Sequence, residues 1–306
     1  MSLVLVPSAS MSLTSPGTLL CHQLLFERGL LFAGSSNGSI AVFRRRVDKA
    51  TRMEQVDTKP LILEGHAGCI TRLILAQGRT LGTEGYLLIS ASADRTIRVW
   101  DPSVREKDKS CIQTLRAHDG TVTSIAFCEG VLVSGSTDGT VKLWKQDEGR
   151  DLMLYPWFMP TVTLKDPNGW VNDVALQMGE AGVLFVGDEY GDLSAYKIIR
   201  TRAPSATLEV QRWRRQSKAH ALGIFRLHLI VSEQMLITSG YDHTARLWDS
   251  LSGAAVMVIE NAHRCRFTCI GFDTRRQELL LGDANGFLHC KCHPVSCASV
   301  LMLSWP

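Results

Sequence analysis

A histidine, a hydroxyl and a carboxylate recur together in this chain, and that trio is the one that turns a serine into a nucleophile. His118, Ser134 and Asp138 form one set, His66, Ser90 and Asp94 a second, and His220, Thr238 and Asp242 a third. In acyl transfer the carboxylate orients the imidazole and the imidazole takes the hydroxyl proton. One active site needs one such set, and three interchangeable copies argue against catalysis. A tryptophan follows each set at the same distance: Trp100, Trp144 and Trp248. The four side chains can be strung into one buried hydrogen-bond chain, in which each bond is worth about 1 kcal/mol and a buried partner left unpaired costs about 1–3 kcal/mol. The sets are therefore read as structural. No catalytic residue is assigned, and the chain is read as not an enzyme.

Other chemistry-bearing patterns are weaker. Gly34-Ser35-Ser36-Asn37-Gly38 spells GxSxG, but a nucleophile elbow needs a helix after it and Ile40–Phe43 reads as a strand. No phosphate loop of the GxxxxGK[ST] type and no dinucleotide fingerprint occurs. Cys265, Cys269, Cys290, Cys292, His293 and Cys297 resemble metal ligands by composition, but their spacing belongs to no common zinc module. No metal and no cofactor are expected.

The elements that must position these residues are short strands. Leu115–Trp144 is the template: Val122–Phe127, Val131–Ser134 and Thr140–Trp144 alternate apolar with small or polar residues, as half-buried strands do. Asp138-Gly139 between the last two predicts a two-residue hairpin. One unit of this kind cannot bury its apolar face alone, and copies of it are present at 18–43, 63–101, 115–144, 164–198, 217–249 and 260–291. A constant frame runs through them: a middle-strand residue, the turn residue four later, and the third-strand residue six beyond that. Ser90/Asp94/Trp100, Ser134/Asp138/Trp144 and Thr238/Asp242/Trp248 keep the polar set. Ala33/Asn37/Phe43 and Val186/Tyr190/Tyr196 keep only the frame, and Leu281/Asn285/Lys291 is the poorest copy.

Gly65-His66, His118 and His220, with Trp100-Asp101 and Trp248-Asp249, make these copies resemble the WD40 repeat family. The resemblance implies an all-β fold, a WD40-like β-propeller with four-stranded blades. Six copies are recognisable where the family most often has seven, so the ring has six blades or is an incomplete seven. The outermost strands must come from 44–62, 102–114, 145–163, 199–216 and 250–259. The N-terminal segment 1–17 and the tail 292–306 each offer a ring-closing strand, Leu3–Val6 or Val300–Leu303. The degenerate sixth copy and the tail also raise a truncated or spliced form of a larger protein.

Length and charge narrow the function classes. At 306 residues the chain would ordinarily suggest two domains, but a repeat array absorbs that length. Apolar runs fall short of a membrane span, the start lacks a basic signal-peptide region, and the nine cysteines are scattered. An intracellular, most simply cytoplasmic, location is expected, with nuclear and ciliary or cytoskeletal ones as alternatives; no membrane and no small-molecule substrate are expected. A net charge of +3 does not by itself point to nucleic acid.

Two surface features remain. The 197–218 connector is basic, with Arg200, Arg202, Arg212, Arg214 and Arg215 around Trp213, which reads either as a solvated rim or as a nucleic-acid patch. The family resemblance implies partner binding on the face carrying the turns that lead into the innermost strands. There the copies align Cys69, Thr121, Trp170, Gly223 and Arg266, and two residues on Thr71, Thr123, Asn172, Phe225 and Thr268; Glu189 and Tyr241 sit beside them in the turns. Trp170, Tyr241 and Arg266 are anchor types. Trp170 reads equally as core beneath its own loop. The leading function is a non-catalytic scaffold for other proteins in a multi-subunit assembly, with an RNA-binding propeller as the alternative.

Overall fold

Runs rich in Val, Ile and Leu, punctuated by Gly, Asp and Asn, give strands throughout the computed structural model, with one 3-10 turn at Val231–Glu233 among the described residues. The structure describes residues 19–25, 30–47, 54–56, 60–80, 83–102, 110–146, 158–165, 167–179, 182–200, 207–273 and 275–292. The chain divides into two compact units, Met1–Ala117 and His118–Pro306. Among the described residues the strands form six antiparallel blades, so the fold is all-β and of the WD40-like propeller class.

The first unit holds blades 1 and 2. Blade 1 comprises β1 (Leu19–Leu25), β2 (Leu30–Ser35), β3 (Ile40–Val47), β4 (Glu54–Val56) and β5 (Leu61–Leu63), the last two pairing with successive parts of β3. Blade 2 is β6 (Ile70–Thr80), β7 (Thr83–Ser92), β8 (Thr96–Trp100) and β9 (Cys111–Arg116). Phe32, Ile40, Val42 and Leu63 of blade 1 pack against Ile70, Leu73, Leu88 and Trp100 of blade 2, all buried.

The second unit holds the other four. Blade 3 is β10 (Val122–Cys128), β11 (Val131–Ser136), β12 (Val141–Gln146) and β13 (Phe158–Leu164). Blade 4 is β14 (Val171–Gln177), β15 (Gly182–Asp188), β16 (Leu193–Arg200) and β17 (Leu208–Gln216). Blade 5 is β18 (Ile224–Ile230), β19 (Met235–Gly240), β20 (Thr244–Asp249) and β21 (Ala255–Glu260). Blade 6 has three strands among the described residues, β22 (Phe267–Asp273), β23 (Glu278–Asp283) and β24 (Leu288–Cys292). The core lies between blades: Val131, Val133 and Leu143 meet Val171, Leu184 and Tyr196, and Ile237 and Leu247 meet Phe267 and Leu281. Blade 5 has a neighbour on each side, so its middle strand β19 is buried along its whole length, while β21 at the edge is mostly exposed. Burying one such aliphatic side chain contributes about 1.5–3 kcal/mol, which makes stacking the main source of stability.

Two local features position side chains. Every innermost strand has a one-residue register shift at the same point, between Ile70/Arg72, Val122/Ser124, Val171/Asp173, Ile224/Arg226 and Phe267/Cys269 in blades 2–6. The skipped residues are Thr71, Thr123, Asn172, Phe225 and Thr268, and a bulge of this kind re-aims its side chain. The second feature corrects the two-residue hairpin at Asp138-Gly139. Gly139 N–H donates to Ser136 O at 3.2 Å and Ser136 N–H to Thr140 O at 3.2 Å. Only Gly139 has positive φ, +75°. The turn is thus a type I turn closed by a left-handed residue. The cause is Asp138, whose Oδ1 accepts the Thr140 N–H at 2.9 Å and caps the turn from outside the αL position. With the cap in place, Arg95 and His243 occupy the left-handed position at +72° and +65° without glycine.

Segment 1–17, residues 293–306 with both expected ring-closing strands, the ligand candidates His293 and Cys297, and Arg202 all lie outside the described residues.

Candidate partner-binding face

The recurring sets form linear chains. In blade 3 Trp144 Nε1–H donates to Ser134 Oγ at 3.1 Å, Ser134 Oγ lies 2.8 Å from His118 Nε2, and His118 Nδ1 lies 3.0 Å from Asp138 Oδ2. Blade 2 repeats this with Trp100, Ser90, His66 and Asp94 at 2.8, 2.7 and 2.8 Å. Blade 5 repeats it with Trp248, Thr238, His220 and Asp242 at 3.0, 2.6 and 2.9 Å. The hydroxyl oxygen accepts the indole N–H and also bonds Nε2, while Nδ1 carries the hydrogen given to the carboxylate. Burial pushes His66 and His118 below their usual value, which favours the neutral imidazole in both. Burial pushes the Asp138 carboxyl up, but the Thr140 hydroxyl, His118 and the Asp119 N–H outweigh it and hold it at about 2.

This is the connectivity of a nucleophile triad without its access. Ser90, Ser134 and Thr238 are fully buried, and each hydroxyl oxygen already accepts an indole hydrogen. The chains instead fasten a loop to a hairpin: Asp94, Asp138 and Asp242 also accept the N–H of Ala67, Asp119 and Ala221 at 3.0, 2.9 and 3.0 Å.

That fastening exposes a second set of residues. A backbone bond recurs one step further along: Ala93, Thr137, Glu189, Tyr241 and Ala284 donate N–H to the carbonyls of Cys69, Thr121, Trp170, Gly223 and Arg266 at 2.9–3.0 Å. It pins each aligned loop residue to its turn. Trp170 is 54% exposed, which removes the reading of it as core. Its N–H donates to Glu189 Oε1 at 2.9 Å, so Glu189 serves the loop. Phe225 and Tyr241 meet edge to face at 5.4 Å, and the Arg266 guanidinium lies 4.9 Å from the Phe225 ring and 5.4 Å from the Tyr241 ring. Arg226 lies 4.9 Å from Phe225 as well. The bulge residues divide here. Thr123 Oγ1 donates to Val171 O at 2.5 Å and Asn172 Nδ2 to Ile224 O at 2.9 Å, each stitching its blade to the next. Phe225 instead joins the aromatic and cationic cluster.

The basic connector is largely outer strand. Arg212, Arg214 and Arg215 lie on β17. Arg215 pairs with Asp192 at 2.6 Å, the Arg214 guanidinium lies 5.7 Å from the Trp213 ring, and Arg200 on β16 donates to Glu129 O. Of the cysteine candidates, Cys265 precedes β22 and is half-buried, whereas Cys269 and Cys290 are exposed.

Three carboxylates escape the repeat frame. Asp188 and Asp283 stand two residues before the turn position, yet they cap those turns: Asp188 Oδ1 accepts from Tyr190 and Asp192 N–H at 3.0 and 2.9 Å, and Asp283 Oδ1 from Asn285 and Phe287 N–H at 3.0 and 2.9 Å. Asp173, fully buried, accepts the Ser124 hydroxyl and the Leu227 N–H, tying blades 3, 4 and 5. The available signal is an Asp in the frame position that elsewhere holds Ser92, Ser136 or Gly240, and an acid inside the apolar run from Val171 to Leu176.

Comparison with known proteins agrees with this geometry. The sequence model described as WD domain, G-beta repeat matches residues 58–101, 109–145 and 213–249. F-box/WD repeat-containing protein sel-10 of Caenorhabditis elegans is 35% identical over 43% of this chain and 20% of its own length. Eukaryotic translation initiation factor 3 subunit I of Debaryomyces hansenii is 31% identical over 51% of this chain and 45% of its own. DENN domain and WD repeat-containing protein SCD1 of Arabidopsis thaliana is 26% identical over 78% of this chain and 22% of its own. The matched regions thus span less than half of each relative. No helix among the described residues is long and apolar enough to cross a membrane. Three matched stretches, WD-repeat relatives and six blades of one architecture together show that this chain carries WD40 repeats.

Proposed function

We propose that the chain is a non-catalytic interaction scaffold, and that blades 4–6 present the surface its protein partner contacts. The observation that carries this reading is the Phe225–Tyr241–Arg266 cluster, held at a recurrent bulge and turn and extended by exposed Trp170 and Leu222. Aromatic side chains give large contact areas at low entropy cost, and aromatics and arginine are enriched at binding hot spots. Arg266 suits a partner segment that carries carboxylates. Catalysis is disfavoured because each hydroxyl of the three His–hydroxyl–Asp sets is buried under an indole N–H. A protein partner is favoured over RNA because Arg215 and Arg200 are already engaged within the chain. Names among the relatives, such as a subunit of initiation factor 3, fit a role inside an assembly. The location consistent with this role is intracellular. The test is affinity purification with mass spectrometry, wild type against Phe225→Ala/Arg266→Ala. The double variant should keep its thermal stability and lose a defined subset of partners; retention of every partner by the folded variant sinks the proposal.

A further inference from the structure

Blade 6 gathers a different kind of polar cluster from the others. His263 Nδ1 lies 3.0 Å and His289 Nε2 2.9 Å from the same oxygen, Asp283 Oδ2, and the three atoms all lie within 4.8 Å of one another. The Asp283 side chain is fully buried, while His289 and His263 are 20% and 38% exposed, so the cluster opens to solvent on the imidazole side. In blades 2, 3 and 5 the imidazole uses both ring nitrogens, one on a carboxylate and one on a hydroxyl. In blade 6 two imidazoles each turn a single nitrogen toward one carboxylate oxygen. That oxygen also faces Asn261 Nδ2 at 3.2 Å.

We propose that His263, Asp283 and His289 form a binding site for a first-row divalent transition ion, represented by Zn(II). Two imidazole nitrogens and a carboxylate oxygen are the donor set such ions take, at about 2.0–2.2 Å from the metal, which puts tetrahedral ligands about 3–3.5 Å apart. The two nitrogen–oxygen separations, 2.9 and 3.0 Å, need little adjustment to reach that spacing, and the two nitrogens lie within 4.8 Å of each other. On binding, the ion takes the place of the hydrogens that the two imidazoles direct at Oδ2; a neutral imidazole then carries its hydrogen on its other ring nitrogen, and a cationic one gives one proton to solvent. Nitrogen donors select against Mg(II) and Ca(II), which prefer all-oxygen shells.

The donors are held in place by their surroundings. Asp283 Oδ1 is fixed by the N–H groups of Asn285 and Phe287, the Phe287 ring lies 4.2 Å from the His263 ring, and Phe267 meets His289 edge to face at 5.4 Å. Outer contacts of this type fix ligand orientation in metal sites. The ion would fasten the loop at His263 to the β23–β24 hairpin, the job done elsewhere by the Trp–hydroxyl–His–Asp chain, and would leave its fourth position open to water.

The test uses the full chain, stripped with chelator and dialysed, then titrated with Zn(II) and separately with Co(II). The expected result is uptake of about one Zn(II) per chain at this site, with Co(II) giving visible bands and no thiolate charge-transfer band. His263→Ala and His289→Ala, checked for native circular dichroism, should each weaken binding on the order of 10- to 100-fold or more. Cys265→Ser should leave it unchanged. The proposal is overturned if the folded wild type takes up no Zn(II), if the folded double-histidine variant binds as wild type does, or if binding follows the cysteines. Should the histidine variants fail to fold, the wild-type Co(II) spectrum decides: nitrogen and oxygen ligation supports the site, and a thiolate band or no uptake removes it.

Discussion

Blades 3 and 6 share a backbone and differ in nearly everything polar. Both have the bulged inner strand, and both have a hairpin whose turn N–H groups are capped by an aspartate. In blade 3 the cap is Asp138, and it sits at one end of a line that runs through His118 and Ser134 to Trp144. In blade 6 the cap moves two residues upstream to Asp283, and two imidazoles converge on it with no hydroxyl or indole in the line. The two solutions show that the blade frame requires apolar neighbours and a capped turn. The four-residue chain is one way of closing the loop, and its absence frees the same position for other chemistry.

The sharpest test of this contrast is Trp144→Ala. It removes a large buried ring and the donor that fixes the Ser134 hydroxyl, and urea unfolding should show a loss of about 3–5 kcal/mol. A loss under about 1 kcal/mol would mean that blade 3 needs its chain no more than blade 6 does. Next is Asp138→Ala, which leaves the Asp119 and Thr140 N–H groups without their acceptor and His118 Nδ1–H with only the Thr140 hydroxyl, 2.9 Å away. It should cost about 1–3 kcal/mol in the same measurement, and no catalytic activity is expected to change. An unchanged melting temperature would refute the structural role.

Acid should weaken blade 3 in two stages. The folded His118 imidazole is held below its ordinary 6.5 by burial, so the unfolded chain binds that proton first. Its contribution is present above the unfolded value and declines as pH falls through 6.5 toward the folded one. Asp138, held at about 2 against 3.8, adds a second decline between those values. His118→Gln should therefore flatten the upper part of the acid profile, compared by urea midpoints at about pH 7.5 and about pH 5. Burial pushes the Asp283 carboxyl up, but the hydrogen bonds from His289 and His263 outweigh it and hold it well below the carboxylate range. The Asp283 carboxylate therefore stays charged in acid. The smallest expected stability effect is Phe225→Ala, within about 0.5–1 kcal/mol because its cluster is at the surface, though partner binding should fall. A large drop in stability would return Phe225 to the core.

The six repeat units and the three polar chains were legible in the chain itself, because both rest on local spacing, whereas six blades or an incomplete seven stood open. Strand alternation has period two, the turn residues stand at a fixed offset, and the residues of each repeat lie within one supersecondary unit. The bulge positions could be aligned from the copies, but alignment gave no sign that Thr123 and Asn172 would bond across to the next blade while Phe225 would stack with Arg266. The αL occupancy of Arg95 and His243 was likewise hidden behind a familiar Asp-Gly pair.

Amino-acid order alone determined that this chain repeats one three-strand unit, that its His–hydroxyl–Asp sets are too numerous to be a single active site, and that its innermost loops carry Trp, Phe, Tyr and Arg. Tertiary structure decided which of those side chains stay outside, where Trp170 stands, and that His263, Asp283 and His289 meet. The reason is physical: local pattern fixes what a strand buries, but convergence of residues from different turns depends on the pitch and bulge of the blade that brings them together.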